Sequence, residues 1–486
     1  MKNHVLKFTT GITAGLALLS CNNQSLSEKN SKVPETSAKS PNIVYILADD
    51  LGYGDVGYNG QQKFNTPNID KLAQKGMIFT QHYSGSTVCA PSRSTLMTGL
   101  HTGNTPIRGN KEVLPEGQWP LPDSSYTLAE MLKDVNYVTG AFGKWGLGYP
   151  ASEGDPNNQG FDEFYGYNCQ RFGHHYYPDF LRHNQDKIIL EENAKGKRNV
   201  YGPNLIHEQA LKFMEANKDT SFFMFYPTII PHAELFAPEE YMEMFRGKFL
   251  PEKEFKGAEY GDEGFRIRAY GSQPESHAAF AAMVTVLDDH VGEIVKKLEE
   301  LDIADNTLII FTSDNGPHIE GGADPDYFNS NAQFKGYKRD LYEGGIRVPM
   351  IAYWPGTIEG GTETNHISAF WDVMPTIAEI VETKYPENID GISFAPTLLG
   401  KEGQKEHEYL YWEFESLNGR KAIRKGKWKA VKYDILKNPD TPLQLFNLEV
   451  DPSEENDIAE QHPEVVSELN ELMKSVRTES ETFPFK

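Results

Sequence analysis

The chain has 486 residues, of which 38% are hydrophobic and 12% aromatic. This composition is typical of globular proteins and excludes a fibrous or largely disordered chain, and the length favours two packed units over a single core. The formal net charge of −23 argues against a nucleic-acid-binding protein, which needs a basic face. An anionic substrate would need a local basic pocket. Such a pocket can attract the substrate because salt screens the protein's other charges beyond about 8–10 Å.

The N-terminus has the pattern of an export signal. Basic residues precede a short apolar stretch, residues 8–19, which ends at Ser20-Cys21. The stretch is too short for a permanent membrane span, and a Cys directly after Leu-Leu-Ser resembles a bacterial lipobox. We predict a signal peptide over residues 1–20, a lipidated, flexible tether over 21–40, and a periplasmic, outer-membrane or cell-surface lipoprotein. An ordinary signal peptide with an incidental Cys21 is the alternative.

Five short apolar runs predict buried strands of a largely parallel sheet. They are Ile43–Ala48, Val138–Phe142, Phe222–Tyr226, Leu308–Thr312 and Met350–Tyr353. Segments with helical spacing lie between them, including Ser125–Asp134 and Ser276–Leu301. The alternation of strands and helices predicts an α/β fold.

Polar residues follow four of these runs. They are Asp49-Asp50, Gly143-Lys144, His232 and Ser313-Asp314-Asn315. Because ligands bind outside the carboxyl ends of parallel strands, the four strand ends predict a single site.

The pattern changes after about residue 400. Short alternating segments predict antiparallel strands, followed by one amphipathic helix. These segments are Tyr409–Phe414, Lys421–Arg424, Trp428–Tyr433, Leu443–Leu448 and the helix Pro463–Arg477. We therefore predict a large domain over residues 41–400 and a smaller α+β subdomain over 401–486.

Residues 89–99 read Cys-Ala-Pro-Ser-Arg-Ser-Thr-Leu-Met-Thr-Gly. Pro91 suits the first turn of a helix, which would place Cys89 near a helix N-terminus. Backbone N–H groups and the helix dipole favour negative charge there. These features alone predict a low-pKa thiolate or part of an oxyanion site; a buried structural cysteine is the alternative.

Cys-x-Pro-Ser-Arg followed by an apolar helix ending in Thr-Gly resembles the signature of type I sulfatases. Further segments resemble family blocks in the family's order: Ile43–Gly54, Thr66–Asp70, Gly143–Trp145, Ser313–Gly316 and Tyr342–Pro349. The resemblance extends from about residue 41 to 450. It implies an alkaline-phosphatase-like α/β fold, with a mostly parallel sheet between helices and a smaller antiparallel C-terminal part. It also makes the domain over 41–400 the catalytic one.

The resemblance implies a catalytic residue set. A maturation enzyme would oxidise Cys89 to formylglycine, whose hydrated aldehyde attacks sulfur. Arg93 matches the arginine that holds this hydrate, and Lys144 and Lys338 match two lysines that grip sulfate oxygens. His232 matches the histidine beside the leaving group and is the general-acid candidate. Lys335 is a competitor for Lys338, which is preferred because it lies four residues before the Tyr342 block.

The matching metal positions are Asp49, Asp50, Asp314 and Asn315, together with modified Cys89. Their oxygen ligands suit a hard cation, and Ca²⁺ tolerates more ligands and looser geometry than Mg²⁺. Helix caps or plain turns are the alternative for these residues.

The chain departs from the family at one position. Many sulfatases have Gly-Lys-Trp-His-Leu-Gly where this chain has Gly143-Lys144-Trp145-Gly146-Leu147-Gly148. The histidine that usually assists the formylglycine hydrate is therefore absent. Either another histidine replaces it, with His174 and His175 the nearest candidates, or this branch of the family does without.

The predicted function is removal of sulfate from a sulfated carbohydrate. The segment Asn168–His183 concentrates arginine, histidine and aromatic residues, which suits stacking on sugars and holding anionic groups; a packed loop is the alternative. Algal polysaccharides such as ulvan or a galactan, and glycosaminoglycan oligosaccharides, are the candidate substrates. Two functions compete with this one: hydrolysis of phosphate or phosphonate esters by an enzyme of the same fold, and glycan binding by a non-catalytic lipoprotein.

Overall fold

The computed structural model describes residues 39–262 and 270–485. The predicted signal peptide, Cys21 and all but the last two residues of the predicted tether lie outside these ranges. Within the described ranges, no helix combines the length and apolar character that crossing a membrane requires.

The described residues form the following strands and helices. The strands are β1 (Asn42–Ala48), β2 (Met77–Phe79), β3 (His82–Tyr83), β4 (Val138–Lys144), β5 (Glu163–Tyr167), β6 (Phe180–His183), β7 (Asp186–Ile189), β8 (Phe222–Pro227), β9 (Thr307–Ser313), β10 (Met350–Tyr353), β11 (Thr362–Thr364), β12 (Ser368–Ala369), β13 (Leu410–Phe414), β14 (Arg420–Lys425), β15 (Trp428–Lys432) and β16 (Gln444–Asn447). The α-helices are α1 (Pro67–Lys75), α2 (Cys89–Thr98), α3 (Leu128–Asp134), α4 (Gly202–Ala216), α5 (Glu239–Phe245), α6 (Ser276–Glu300), α7 (Pro325–Phe328), α8 (Glu343–Ile346), α9 (Val373–Ile380), α10 (Ala395–Leu398) and α11 (Pro463–Ser475).

Ten strands form the central sheet, in the order β11-β2-β10-β9-β1-β8-β4-β5-β6-β7. Strand β1 pairs in parallel with β8 and β9, and β4 pairs in parallel with β8 and β5. Every residue of β1, β8 and β9 is buried, which explains why these strands stand out as continuous apolar runs. The predicted strands and the α/β fold are confirmed.

One predicted strand direction is wrong. Met350–Tyr353, expected to be parallel, forms β10 and pairs antiparallel with β9. Between β9 and β10 the described chain has only the four-residue helices α7 and α8. A parallel neighbour needs a long crossover that carries the chain back to the start of the sheet; here the chain turns near the end of β9 and returns beside it.

Hydrophobic side chains fill both faces of this sheet. Alternate residues of β1 point to opposite sides: Val44 and Ile46 join a core with α6, whereas Ile43 and Leu47 join a core with α3 and α9. This alternation is the ordinary period of two along a strand. The sheet is therefore sandwiched between helices, as predicted.

Strands β13–β16 form a separate antiparallel sheet, each pairing with the next. Leu469 and Met473 of α11 pack on one face of it, and Tyr83 and Trp371 of the larger part pack on the other. The predicted C-terminal strands and helix are confirmed, although α11 ends at Ser475. The domain boundary at residue 400 stays a prediction.

A buried ion cluster links the C-terminal sheet to α8. The Lys429 Nζ atom lies 2.8 Å from Glu343 Oε1 and 3.0 Å from Glu454 Oε1, and all three side chains are fully buried. Lys429→Met is expected to lower the free energy of unfolding by about 3–5 kcal/mol, because the buried Glu454 carboxylate loses its cation, whereas Glu343 keeps its ion pair with Arg347. Urea unfolding measures this, with Lys432→Met, on the same strand but partly exposed, as the control. A loss equal to that of the control would contradict the prediction.

Candidate active site

Helix α2 presents Cys89 at its first turn. Val88, in an extended conformation, precedes the helix, and Cys89 is its first residue and 1% exposed. Its thiol donates to Asp49 Oδ1 at 3.4 Å. Burial raises the pKa of the Cys89 thiol, although the charges of Lys144 and Lys338 oppose the shift. The expected position is confirmed, but the expectation of a low-pKa thiolate is wrong for the unmodified residue, because desolvation outweighs the neighbouring cations.

The ends of β1 and β9 bring four oxygen-bearing side chains together. These strands pair with Ala48 opposite Ser313, so the residues that follow them meet at one edge of the sheet. The Asp50 N–H donates to Asp314 Oδ1 at 3.1 Å, and Asn315 Nδ2 donates to Asp50 Oδ1 at 2.6 Å. Asp50 has a φ of 65°, a conformation that costs about 1–3 kcal/mol for a non-glycine residue and clusters at functional sites.

Three buried cations surround these carboxylates. Arg93 Nη2 lies 2.8 Å from Asp314 Oδ2 and 3.7 Å from Asp49 Oδ1. Lys144 pairs with Asp49 Oδ2. Lys338 Nζ lies 2.7 Å from Asp50 Oδ2 and donates to Cys89 Sγ at 3.7 Å. Each carboxylate therefore has a basic partner, and the pairs enclose Cys89.

The structure distinguishes the two candidate lysines. Lys335 points to the C-terminal part of the chain, where its Nζ donates to Glu454 O at 3.1 Å and lies 4.2 Å from the centre of the Tyr342 ring. Lys338 is the one that reaches Cys89.

His232 lies beside Lys338 and Asp50. Its Nε2 is 3.0 Å from Lys338 Nζ and 3.3 Å from Asp50 Oδ2, and its Nδ1 contacts Ala233 O. A carbonyl only accepts, so Nδ1 holds the ring proton and Nε2 accepts from the Lys338 ammonium. Burial and then the charge of Lys338 lower the pKa of His232 well below its usual value, so the ring is neutral in this state.

Two further histidines flank His232. The ring of His174 stacks on it at 4.2 Å between centroids, and the ring of His318 lies 5.4 Å away on a nearly parallel plane. His175, the other candidate replacement, has its Nδ1 3.5 Å from Glu234 Oε1. The sequence prediction missed His318, although its place three residues after Asn315 was a usable signal.

The cluster fits a divalent cation. Oxygen, sulfur and nitrogen atoms of Asp49, Asp50, Cys89 and His232 lie within 4.8 Å of one another. Among the described residues, the buried Asn315 Oδ1 has no hydrogen-bond partner. Burial, then repulsion from Asp49, raises the pKa of Asp314, although Arg93 opposes the shift. A cation would give the Asn315 amide oxygen a partner and would offset the repulsion between Asp49 and Asp314. Carboxylate and amide oxygens are the ligands of a hard ion.

The chain matches two protein-family models. The model for sulfatases matches residues 41–383, and the model for the N-sulphoglucosamine sulphohydrolase C-terminal region matches residues 334–479. The chain therefore belongs to the sulfatase family, and the enzyme is a sulfuric ester hydrolase, as predicted.

Known relatives agree with this assignment. The N-acetylgalactosamine-6-O-sulfatase of Bacteroides thetaiotaomicron is 30% identical over 96% of this chain and 98% of its own. The N-acetylgalactosamine-6-sulfatase of Mus musculus is 31% identical over 80% of this chain and 71% of its own. The crystal structure of Ps i-CgsB in complex with k-i-k-neocarrahexaose has a TM-score of 0.75 and 30% identity, covering 90% of this chain and 94% of that one.

Proposed function

We propose that the enzyme removes sulfate from a sulfated carbohydrate, with residue 89 as the nucleophile and a calcium ion beside it. The supporting observation is the buried cluster around Cys89, in which Asp49, Asp50 and Asp314 pair with Lys144, Lys338 and Arg93. Chemistry on a sulfate ester needs a nucleophile, positive groups for the sulfuryl oxygens, and a proton for the departing alcohol.

The nucleophile follows from the properties of residue 89. As an unmodified thiol it has a raised pKa and is buried, which makes it a poor nucleophile. Oxidised by a maturation enzyme to formylglycine, it would supply a hydrated aldehyde oxygen for attack on sulfur. Asp49 Oδ1, which accepts from residue 89 in this structure, is placed to hold a proton of that group, and Arg93 is placed to orient it.

A bound cation would explain how an acidic protein accepts an anionic substrate. Asp49, Asp50, Asp314 and Asn315 would hold Ca²⁺, with Mg²⁺ the less suited ion; when bound, it would polarise a sulfate oxygen. Three carboxylates and three basic side chains nearly cancel without the ion. The ion would leave the site positive, and within a buried site this local charge outweighs the screened net charge of −23.

The remaining groups act on the sulfate and the leaving alcohol. Lys144 and Lys338 would hold sulfuryl oxygens. His232 is neutral before substrate binds and its Nε2 atom carries no proton, so its general-acid role needs a proton from a neighbouring group. Lys338, 3.0 Å from His232 Nε2, is the adjacent source: its ammonium gives a proton to Nε2, Nε2 passes that proton to the departing alcohol oxygen, and Lys338 is left neutral.

The carbohydrate assignment rests on the relatives. One relative is named N-acetylgalactosamine-6-O-sulfatase, and another was crystallised with k-i-k-neocarrahexaose. A sulfated oligosaccharide or polysaccharide, of algal or glycosaminoglycan origin, is the substrate class we propose.

We further propose that the enzyme is exported and anchored through lipidated Cys21, on the sequence pattern of residues 1–40. Labelling of cells with radioactive palmitate should mark the wild type and not Cys21→Ala. A label that persists in Cys21→Ala would contradict the anchor.

The test of the proposed function uses wild-type protein made with a maturation enzyme. Peptide mass spectrometry should show a loss of about 18 Da at residue 89, the change from Cys to formylglycine. The same preparation should release sulfate from chondroitin disaccharides or carrageenan oligosaccharides faster than phosphate from 4-nitrophenyl phosphate. An unmodified Cys89 in a competent host, or faster phosphate release, would overturn the proposal. Glycan binding without turnover by fully modified protein would favour the glycan-binding lipoprotein.

The two lysines give a matched pair of variants. Lys338→Ala is expected to lower kcat/KM for sulfate release by about 10²–10³-fold, the usual cost of removing one buried group that stabilises transition-state charge. Lys335→Ala should stay near wild type, because its ammonium lies at Glu454. Initial rates over a range of substrate concentrations measure both. Equal losses in the two variants would show that the assignment of Lys338 is wrong.

A further inference from the structure

Three buried amide side chains near Gly146 have polar atoms without hydrogen-bond partners among the described residues. Gln118, Asn168 and Gln170 are 1%, 1% and 4% exposed. Among the described residues, no partner exists for Gln118 Nε2 or for either amide atom of Asn168 and Gln170. Buried polar groups are nearly always paired, and each unpaired one costs about 1–3 kcal/mol. An accumulation of such atoms in one place indicates a binding site for a polar ligand.

These residues gather around the chain that follows Lys144. Gly146 N donates to Asn168 O at 3.0 Å, Gln118 N donates to Gly148 O at 3.0 Å, and Gln170 N donates to Gln118 Oε1 at 3.4 Å. We call these three side chains the amide patch.

Gln170 occupies the volume that a side chain at position 146 would need. Gly146 has a φ of +79°, and a Cβ built on it would lie 2.1 Å from Gln170 Nε2. The position where many sulfatases have a histidine therefore has a glutamine amide above it, supplied by another segment of the chain.

The segment that contains Gln170 forms a wall of the active site. A Cβ on Gly173 would lie 2.7 Å from Lys144 Cδ, so Gly173 sits against that lysine. The next residue, His174, stacks on His232 at 4.2 Å. Residues 170–174 thus extend from Gly146, past Lys144, to His232, which places the amide patch beside the proposed sulfate site.

We propose that the amide patch is a subsite for uncharged hydroxyl groups of the sugar that bears the sulfate. An amide offers both donors and an acceptor, which matches a hydroxyl group, because a hydroxyl also donates and accepts. Sulfate oxygens only accept, and the three buried cations already meet that need. The inference rests on the proposed function and adds which part of the substrate this wall contacts.

The test compares Gln170→Leu with wild type on two kinds of substrate. Leucine has a similar volume but no hydrogen-bonding group. The sugar probes are N-acetylgalactosamine 6-sulfate, chondroitin disaccharides and carrageenan oligosaccharides; 4-nitrophenyl sulfate has no sugar hydroxyl. We expect KM for the hydrolysed sugar probe to rise about tenfold, the loss of one or two hydrogen bonds. The rate on 4-nitrophenyl sulfate should stay within about twofold of wild type, and Tm should not fall, because an unpaired buried amide is removed.

Controls separate the possible outcomes. Gln74→Leu, on the exposed side of α1, should behave as wild type, and Gln118→Leu gives the same comparison if Gln170→Leu does not fold. Equal losses of activity on both kinds of substrate would overturn the inference. They would show that the amide side chains support residue 89 and do not bind the sugar. Unchanged activity of Gln170→Leu on both kinds of substrate would also overturn the inference, and so would a wild type that is active only on 4-nitrophenyl sulfate. Structural water would then be the partner of the amide patch. A wild type that releases sulfate from none of the probes would instead overturn the proposed function.

Discussion

Replacement of Cys89 by alanine is expected to lower the rate of sulfate release by about 10⁴–10⁶-fold, the range seen when an enzyme loses its nucleophile. No other side chain in the cluster can take over: Asp49, Asp50 and Asp314 are each paired with a cation in the buried site. Cys169→Ala is the matched control, because Cys169 is equally buried and is also a free thiol. It should retain near-wild-type activity.

A serine variant gives a second, qualitative result. Made without a maturation enzyme, Cys89→Ser carries a single hydroxyl that attacks sulfur once: the serine oxygen–sulfur bond forms, the sulfur–alcohol oxygen bond breaks, and the serine proton leaves with the alcohol. No second hydroxyl is then available to expel sulfate, so residue 89 should become about 80 Da heavier after incubation with substrate. Steady turnover by this variant, or by Cys89→Ala, would contradict the role of residue 89.

Loss of the cation should have the next largest effect. Asp314→Asn is expected to reduce the rate of sulfate release by about 10²–10⁴-fold. The change removes a charged ligand of the proposed cation, so the cation would bind more weakly and hold the substrate less well. The change keeps the size of a side chain that accepts from Asp50 N and pairs with Arg93, so the fold should be preserved. Asp302→Asn is the control, since Asp302 is exposed and its φ of 58° suits asparagine.

Calorimetry and activity together test this second prediction. Wild-type protein treated with EDTA should lose activity, regain it with Ca²⁺ more fully than with Mg²⁺, and bind Ca²⁺ in a titration. Asp314→Asn should bind Ca²⁺ much more weakly than Asp302→Asn does. Full activity in EDTA, or unchanged Ca²⁺ binding by Asp314→Asn, would show that the cluster does not depend on a cation.

The sequence alone determined the family, the strands that form the centre of the sheet and most of the candidate site. Strands buried on both faces are continuous apolar runs, so the segments Ile43–Ala48 and Leu308–Thr312, which lie within β1 and β9, could be predicted without coordinates. The rule that ligands bind at the carboxyl ends of parallel strands then grouped Asp49, Asp50, Asp314 and Asn315 correctly. The local motif supplied Cys89 and Arg93, because both residues lie within the single helix α2.

Only the tertiary structure decided the features that depend on residues far apart in the chain. It turned Met350–Tyr353 antiparallel, brought Lys338 rather than Lys335 to Cys89, and stacked His174 and His318 on His232. Burial also reversed the expected shift in the pKa of Cys89, because desolvation is a property of the packed interior and not of the residue type. Hydrophobic periodicity specifies which segments are buried. It does not specify which polar side chains meet once those segments pack, and the amide patch beside Gly146 is visible only there.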